Sequence, residues 1–84
     1  MIQLYMRDGC PFCQKVLAAV QQFGMEEGKD FAVIDAAPET PGREVVLRVG
    51  GKAMVPFMID KDVSMYESDD IIAYLEKKFA ASRS

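Results

Sequence analysis

The sequence predicts a single α/β domain in which a four-stranded mixed sheet carries helices on its faces. Two observations lead to this fold class: apolar residues alternate in short segments typical of strands, and recur every three or four residues in segments typical of helices. These segments follow one another as β-α-β-α-β-β-α. The first strand–helix–strand unit predicts parallel strands joined by a right-handed crossover. A chain of 84 residues has the length of one domain, covering residues 1–84.

The amino-terminal half predicts a strand, a helix and a second strand. Residues 2–6 alternate as a strand does, and residues 31–35 form a second apolar strand. Between them a helix is expected to begin at Pro11, because the fixed φ of proline suits the first helical position. It is expected to run to Phe23, and Gly24 is the residue type that most often follows a helix end.

The carboxyl-terminal half predicts two further helices around a pair of strands. Thr40 and Pro41 open a short helix that ends at Gly50-Gly51, while residues 55–60 and 63–66 predict strands joined by a tight turn. Ser68 is expected to cap the final helix, which closes at Lys77 and Lys78 before a frayed tail at residues 80–84. The apolar positions expected to face inward in these helices are Val45, Val46, Val49, Ile71, Ile72, Leu75 and Phe79.

Composition excludes several function classes. The net charge is −3, so no basic stripe is available for a nucleic acid backbone. The sequence shows no apolar run long enough to span a bilayer and no signal peptide, and we therefore expect a cytoplasmic protein that needs no membrane. The chain contains no histidine, which removes Cys–His and Ser–His nucleophile pairs and the commonest zinc ligand.

The two cysteines stand together as Cys10-Pro11-Phe12-Cys13. A disulfide that closes so short a loop adds little stability, and structural disulfides are rare in the cytosol. A redox-active pair is therefore the favoured interpretation, and the alternatives are a zinc half-site or two buried thiols. Zinc is the weaker alternative because two cysteines without histidine cannot complete four ligands in one chain.

The position of this motif predicts different roles for the two thiols. Cys10 precedes the first helical turn, at the exposed end, where the helix N-terminus favours a thiolate. Arg7 and Lys15 are expected to add positive charge nearby. Cys13 belongs to the apolar face that continues with Val16 and Val20, so it is expected to be less ionised and to act as the resolving thiol.

The order of elements and the Cys10-Pro11-Phe12-Cys13 motif resemble glutaredoxin, a branch of the thioredoxin-fold proteins, over residues 2–79. The resemblance implies a thioredoxin-like fold and a redox-active disulfide between Cys10 and Cys13. Met54-Val55-Pro56 resembles the family's Thr-Val-Pro, which implies a cis peptide bond before Pro56. Ser68-Asp69-Asp70 matches the family segment that holds the γ-glutamyl end of glutathione.

Two departures point to a related family. Tyr66 and Glu67 replace the Gly-Gly pair that glutaredoxins carry before the last helix. The segment from Glu67-Ser68 through Asp69-x-Ile71-x-x-Tyr74-Leu75 is instead similar to the N-terminal domain of glutathione transferases. Both families share the thioredoxin fold and bind glutathione at this helix. A transferase also needs a helical second domain for its electrophile, which these 84 residues do not include.

The resemblance implies a set of site residues. Cys10 and Cys13 are the expected catalytic pair. The residues expected to bind glutathione are Arg7, Phe12, Val55, Pro56, Glu67, Ser68 and Asp69. Arg7 and Lys52 are both candidates for its glycyl carboxylate. Apart from the resemblance, Pro56 is also explained as a strand-start proline and Ser68-Asp69-Asp70 as a capped helix start.

The predicted function is glutathione-dependent reduction of disulfides, above all protein–glutathione mixed disulfides. Glutathione is the expected co-substrate, glutathionylated or disulfide-bonded proteins are the expected partners, no metal is expected, and the protein is expected to be a monomer. One alternative is an electron donor served by a thioredoxin reductase and feeding ribonucleotide reductase. Another is a dimer that holds an iron–sulfur cluster through Cys10 and two glutathiones, which Pro11 disfavours by resemblance.

Overall fold

A mixed sheet of four strands in the order β2-β1-β3-β4 forms the centre of the molecule. The computed structural model describes residues 2–83, with side chains described for residues 2–79. The elements are β1 (Ile2–Met6), α1 (Pro11–Gln22), β2 (Phe31–Asp35), α2 (Pro41–Gly50), β3 (Phe57–Asp60), β4 (Val63–Met65) and α3 (Ser68–Arg83). Strand β1 runs parallel to β2 and antiparallel to β3, and β3 pairs antiparallel with β4. This is the predicted α/β thioredoxin-like arrangement.

The strand β1 separates two apolar layers. Ile2, Leu4 and Met6 pack with α1 and α3 on one face of the sheet. Tyr5 points to the other face, where it is buried against α2 and lies 6.1 Å from the ring of Phe57. Apolar residues therefore cover both faces of β1. A short turn connects the carboxyl end of β1 to Cys10.

Helix α2 approaches the sheet through a narrow face of small residues. Val46 is fully buried, with Gly42 and Gly50 one turn before and after it. A Cβ atom at Gly50 would lie 2.2 Å from the Tyr66 hydroxyl oxygen, so only glycine allows this approach. The prediction that Val49 faces inward is wrong: it is 49% exposed, because the contact row runs through Gly42, Val46 and Gly50.

The remaining element boundaries depart from the predicted ones in a few places. Strand β3 begins at Phe57 because Val55 and Pro56 form a cis turn ahead of it, and β4 ends one residue early at Met65. Helix α3 continues past Lys78 to Arg83, and Ser84 of the predicted frayed tail lies outside the described residues. None of the helices within residues 2–83 is both long and apolar enough to cross a membrane.

Candidate active site

Cys10 is the N-cap residue of α1. Its backbone is extended, with φ −90° and ψ 112°, and Pro11 follows at the first helical position. Its carbonyl oxygen accepts the N–H of Gln14 at 3.1 Å, and its Sγ accepts the N–H of Cys13 at 3.3 Å. The sulfur thus takes the place of the oxygen that a serine or aspartate cap offers to the first helical turn.

Both thiols are buried and free. Cys10 is 8% exposed and Cys13 1% exposed. The expectation that Cys10 lies at an exposed end is therefore wrong in degree. Its side chain belongs to the core cluster between the sheet and the two helices, and the partly buried Val55 packs against that cluster. Cys13 lies on the core face of α1 with Val16 and Val20, as the helical spacing predicts.

The surroundings of the two sulfurs shift their pKa values in opposite directions. Burial is the largest influence on Cys10 and raises its pKa, but hydrogen bonds from the Cys13 thiol and N–H and from the Phe12 N–H lower it. With the positive charge of Arg7, these interactions leave the pKa of Cys10 below that of an ordinary thiol. Burial, followed by the hydrogen bond to Cys10, raises the pKa of Cys13 to about 11.

A cavity of about 200 Å³ opens beside the first turn of α1. Three segments form it: the start of α1, the loop around the cis Val55–Pro56 bond, and the start of α3. The cis bond is the one expected from the resemblance. The lining residues are Phe12, Lys15, Met54, Val55, Pro56, Tyr66, Glu67, Ser68 and Asp69. Of the residues predicted to bind glutathione, Arg7 and Lys52 lie outside this lining.

Arg7 lines a second, larger cavity on the other side of the dithiol. This space of about 390 Å³ lies at the carboxyl ends of β1 and β2 and reaches Cys13. Arg7 contributes positive charge to Cys10, as predicted. Lys15, the other expected source of charge, forms an ion pair with Asp69 of α3 instead.

Two side chains fix the loop ahead of Pro56. The Tyr66 hydroxyl donates to the Lys52 carbonyl at 2.6 Å and accepts the Lys52 N–H at 3.0 Å. The Arg43 guanidinium donates to the carbonyl of Ala53 at 2.9 Å and to that of Ala36 at 2.8 Å. Sequence reasoning missed both residues, although Tyr66 stood out as a departure from the Gly-Gly pair of glutaredoxins. The predicted role of Lys52 concerned its charge, whereas the structure uses its backbone here.

The start of α3 combines a sharp turn with a buried hydroxyl. Glu67 has φ 68°, a left-handed conformation that costs a non-glycine residue about 1–2 kcal/mol. Its carbonyl accepts the N–H of Ile71 at 3.0 Å, so Glu67 and not Ser68 occupies the capping position. Ser68, the first residue of the helix, is 7% exposed, and Asp69 lies outside it in solvent. This strained turn directs the first turn of α3 toward the cavity.

No group of three or more side chains capable of holding a metal ion is present among the described residues. The two cysteines provide only two ligands. The site combines one thiol with a lowered pKa, one protonated thiol beside it, and a small cleft bordered by both helices.

Comparison with known proteins identifies a related family. The family model described as "Glutathione S-transferase, N-terminal domain" matches residues 4–83. This is the family that the Glu67-Ser68 segment resembles, and it shares the thioredoxin fold with glutaredoxins. No curated protein matches the chain.

Solved structures of other proteins share the fold. The chain is similar to glutathione transferase Omega 3C from Trametes versicolor (TM-score 0.79, 23% identity, 94% of this chain and 34% of that chain). It is also similar to a glutathione S-transferase from the Antarctic clam Laternula elliptica (0.74, 30%, 94% and 35%). A third similar structure is Ure2p in complex with glutathione (0.75, 21%, 96% and 34%). The chain thus spans about a third of the length of each.

Proposed function

Because the chain belongs to the family of glutathione S-transferase N-terminal domains, we propose that it is a glutathione-dependent thiol–disulfide oxidoreductase. Its substrates are protein–glutathione mixed disulfides and protein disulfides. The observation that supports this most is the hydrogen bond from the Cys13 N–H to the Cys10 sulfur, which lies beside a cavity bordered by the cis-proline loop. A thiol with a lowered pKa attacks disulfides faster near neutral pH, because only the thiolate is the nucleophile.

The monothiol reaction uses Cys10 alone. Its thiolate attacks the glutathione sulfur of a protein–glutathione mixed disulfide, which forms a Cys10–glutathione disulfide and releases the protein thiolate to take up a proton. A second glutathione, as thiolate, attacks the glutathione sulfur on Cys10. This releases oxidised glutathione and restores the Cys10 thiolate. The net reaction converts one mixed disulfide and one glutathione into one protein thiol and one molecule of oxidised glutathione.

The dithiol reaction adds Cys13. Once Cys10 has formed a mixed disulfide with a substrate protein, Cys13 loses its proton and attacks the Cys10 sulfur. The substrate leaves as a thiolate and takes up a proton, and two glutathiones then reduce the Cys10–Cys13 disulfide. The high pKa of Cys13 keeps this thiol protonated until the attack, so Cys10 remains the thiol that meets substrates first.

Glutathione is proposed to occupy the cavity between the helices. The backbone of Val55 faces its cysteinyl residue, and the N–H groups at the start of α3 with the Ser68 hydroxyl face its α-carboxylate. Asp69, with Glu67, faces its ammonium group. Phe12 is 61% exposed at the rim of the cavity and packs on the peptide. In this account the protein works in the cytoplasm as a monomer.

Turnover with two electron sources tests the proposal. We expect reduction of a glutathionylated peptide with glutathione, glutathione reductase and NADPH, and none with thioredoxin reductase and NADPH. Cys10→Ser is expected to abolish this activity, whereas Cys13→Ser retains it. Turnover with thioredoxin reductase alone would overturn the proposal in favour of the other electron source. Conjugation of an aryl halide to glutathione without disulfide reduction would instead assign the chain to transferase chemistry.

A further inference from the structure

The cavity between the helices is crossed by an ion pair that the disulfide chemistry does not use. Lys15 projects from the second turn of α1 and pairs with Asp69 in the first turn of α3. Both residues line the cavity. Their side chains are 53% and 79% exposed. Ion pairs this exposed contribute little to stability, so the two charges can exchange partners at small cost.

Among the residues whose side chains the structure describes, Lys15 is the only positively charged one that lines the cavity. The other charged side chains there are Glu67 and Asp69, both negative. Arg7 lines the second, larger cavity on the far side of the dithiol, so it does not add charge to this one. A ligand carboxylate that enters near the start of α3 therefore meets two carboxylates, and its favourable charge must come from Lys15 and from the helix N-terminus.

The γ-glutamyl end of glutathione carries an ammonium and a carboxylate on the same carbon. Resting on the proposed function, we propose that Lys15 and Asp69 exchange their mutual ion pair for these two charges: Lys15 takes the α-carboxylate and Asp69 takes the ammonium. One helix thus supplies each charge, and the zwitterion is held between Lys15 of α1 and Asp69 of α3. Ser68 is buried at the start of α3. One oxygen of the α-carboxylate of glutathione therefore lies at the start of α3, and the other lies toward Lys15.

This arrangement makes Lys15 a residue that determines specificity. Thiols with a free α-amino acid end offer both charges and replace the ion pair completely. A thiol that lacks one of these charges separates Lys15 from Asp69 and offers a new partner to only one of them. The site therefore selects small thiols with a zwitterionic end over neutral or purely anionic thiols.

Binding to a chain that cannot react provides the test. In a Cys10→Ser background, calorimetry measures the Kd of glutathione and of two analogues: γ-aminobutyryl-cysteinyl-glycine, which lacks the α-carboxylate, and glutaryl-cysteinyl-glycine, which lacks the ammonium. We expect Lys15→Met to raise the Kd of glutathione about tenfold, the size expected for loss of one charged hydrogen bond. The same substitution should leave the Kd of the analogue without the carboxylate within about twofold. Asp69→Asn should spare the analogue without the ammonium in the same way.

The controls separate a role in recognition from a general structural one. Lys15→Arg, which keeps the charge, should retain most of the affinity for glutathione. Lys77→Met, which removes an exposed lysine from the outer side of α3, should leave it unchanged. An unchanged Kd of glutathione in Lys15→Met, or an equal loss for both analogues, would overturn the assignment.

The outcomes also separate this inference from the proposed function. If glutathione binds and responds to Lys15→Met as expected, but the unmodified chain reduces no disulfide, the charge exchange stands and the oxidoreductase activity falls. If the chain turns over disulfides with glutathione and Lys15→Met changes nothing, the activity stands and the role of Lys15 falls. Absence of any glutathione binding overturns both.

Discussion

The backbone N–H of Cys13 donates to the Sγ of Cys10 at 3.3 Å, so one cysteine stabilises the other's thiolate through its main chain. This bond remains with any residue other than proline at position 13, because the donor is the backbone N–H. The Cys13 thiol adds a second hydrogen bond and keeps its own proton, with a pKa of about 11. Two cysteines one helical turn apart are therefore chemically distinct before any substrate arrives.

Alkylation as a function of pH checks this distinction. We expect Cys10 in the folded chain to react with iodoacetamide with a lower pH midpoint than the same thiol in the denatured chain, because hydrogen bonds and the charge of Arg7 lower its pKa. Cys13 should react only at higher pH. Mass spectrometry of the labelled peptides separates the two sites, and a denatured chain, in which both midpoints converge, is the control. Earlier labelling of Cys13 than of Cys10 would reverse the assignment of the nucleophile.

Substitution of the second cysteine separates the two proposed reactions. Cys13→Ser should retain reduction of a glutathionylated peptide, because Cys10 and the N–H that stabilises its thiolate both remain. It should lose most of the reduction of an ordinary protein disulfide, since no resolving thiol can release Cys10. The matched variant Cys10→Ser should lose both. Loss of both reactions in a folded Cys13→Ser chain would count against the monothiol step.

Most of the fold follows from local signals. Pro11 and Gly24 mark the ends of α1 through their backbone conformation. At α2 the Thr40 hydroxyl accepts the N–H of Arg43, and Gly51 adopts the left-handed conformation that ends the helix. Val49 was misplaced because helical spacing gives a direction but not the width of the contact. The narrow row through Gly50 depends on the ring of Tyr66, which arrives from a distant part of the chain.

The candidate site likewise has features that local motifs predict and features that depend on contacts between distant parts of the chain. Motif resemblance predicted the cis bond before Pro56, and six of the residues that it implies for glutathione line one cavity. It did not predict the hydrogen bonds between Tyr66 and Lys52 or the ion pair between Lys15 and Asp69. These contacts join residues from separate parts of the chain, and neither residue type nor spacing specifies a partner so far away in the sequence. The burial of Cys10 was missed for a similar reason, because its core cluster draws on distant elements.

The Tyr66 hydroxyl holds the loop that precedes the cis bond. Tyr66→Phe removes both hydrogen bonds to Lys52 but keeps the ring, which lies 4.6 Å from that of Phe57. We expect the free energy of unfolding to fall by about 1–2 kcal/mol. We also expect the KM for glutathione to rise severalfold, because Met54 and Val55 follow this loop into the cavity. Urea unfolding and steady-state turnover measure the two effects.

A second tyrosine provides the control for this variant. Tyr74 donates to Asp60 Oδ2 at 2.6 Å, at the opposite end of β1 from the dithiol. Tyr74→Phe should lower stability by a similar amount and leave the KM for glutathione unchanged. If Tyr66→Phe lowers stability but not the affinity for glutathione, the position of the loop does not depend on its hydroxyl.

Asp60 is a buried carboxylate that stabilises the folded state only while it is charged. It is 5% exposed, forms an ion pair with Lys78 and accepts the Tyr74 hydroxyl; these hydrogen bonds lower the pKa of Asp60. Its folded pKa therefore lies below the unfolded value of about 3.9, so its contribution is complete well above that value and is lost as the pH falls through the folded pKa.

We expect Asp60→Asn to lower the free energy of unfolding at pH 7 by about 1–3 kcal/mol. The difference from the unmodified chain should narrow below about pH 4, where its carboxylate also becomes protonated. Asp62→Asn, an exposed neighbour in the same turn, should show little difference at any pH. Urea titrations between pH 7 and pH 2.5 measure all three chains, and a gap for Asp60→Asn that stays constant across this range would show that the charge of Asp60 is not what stabilises the fold.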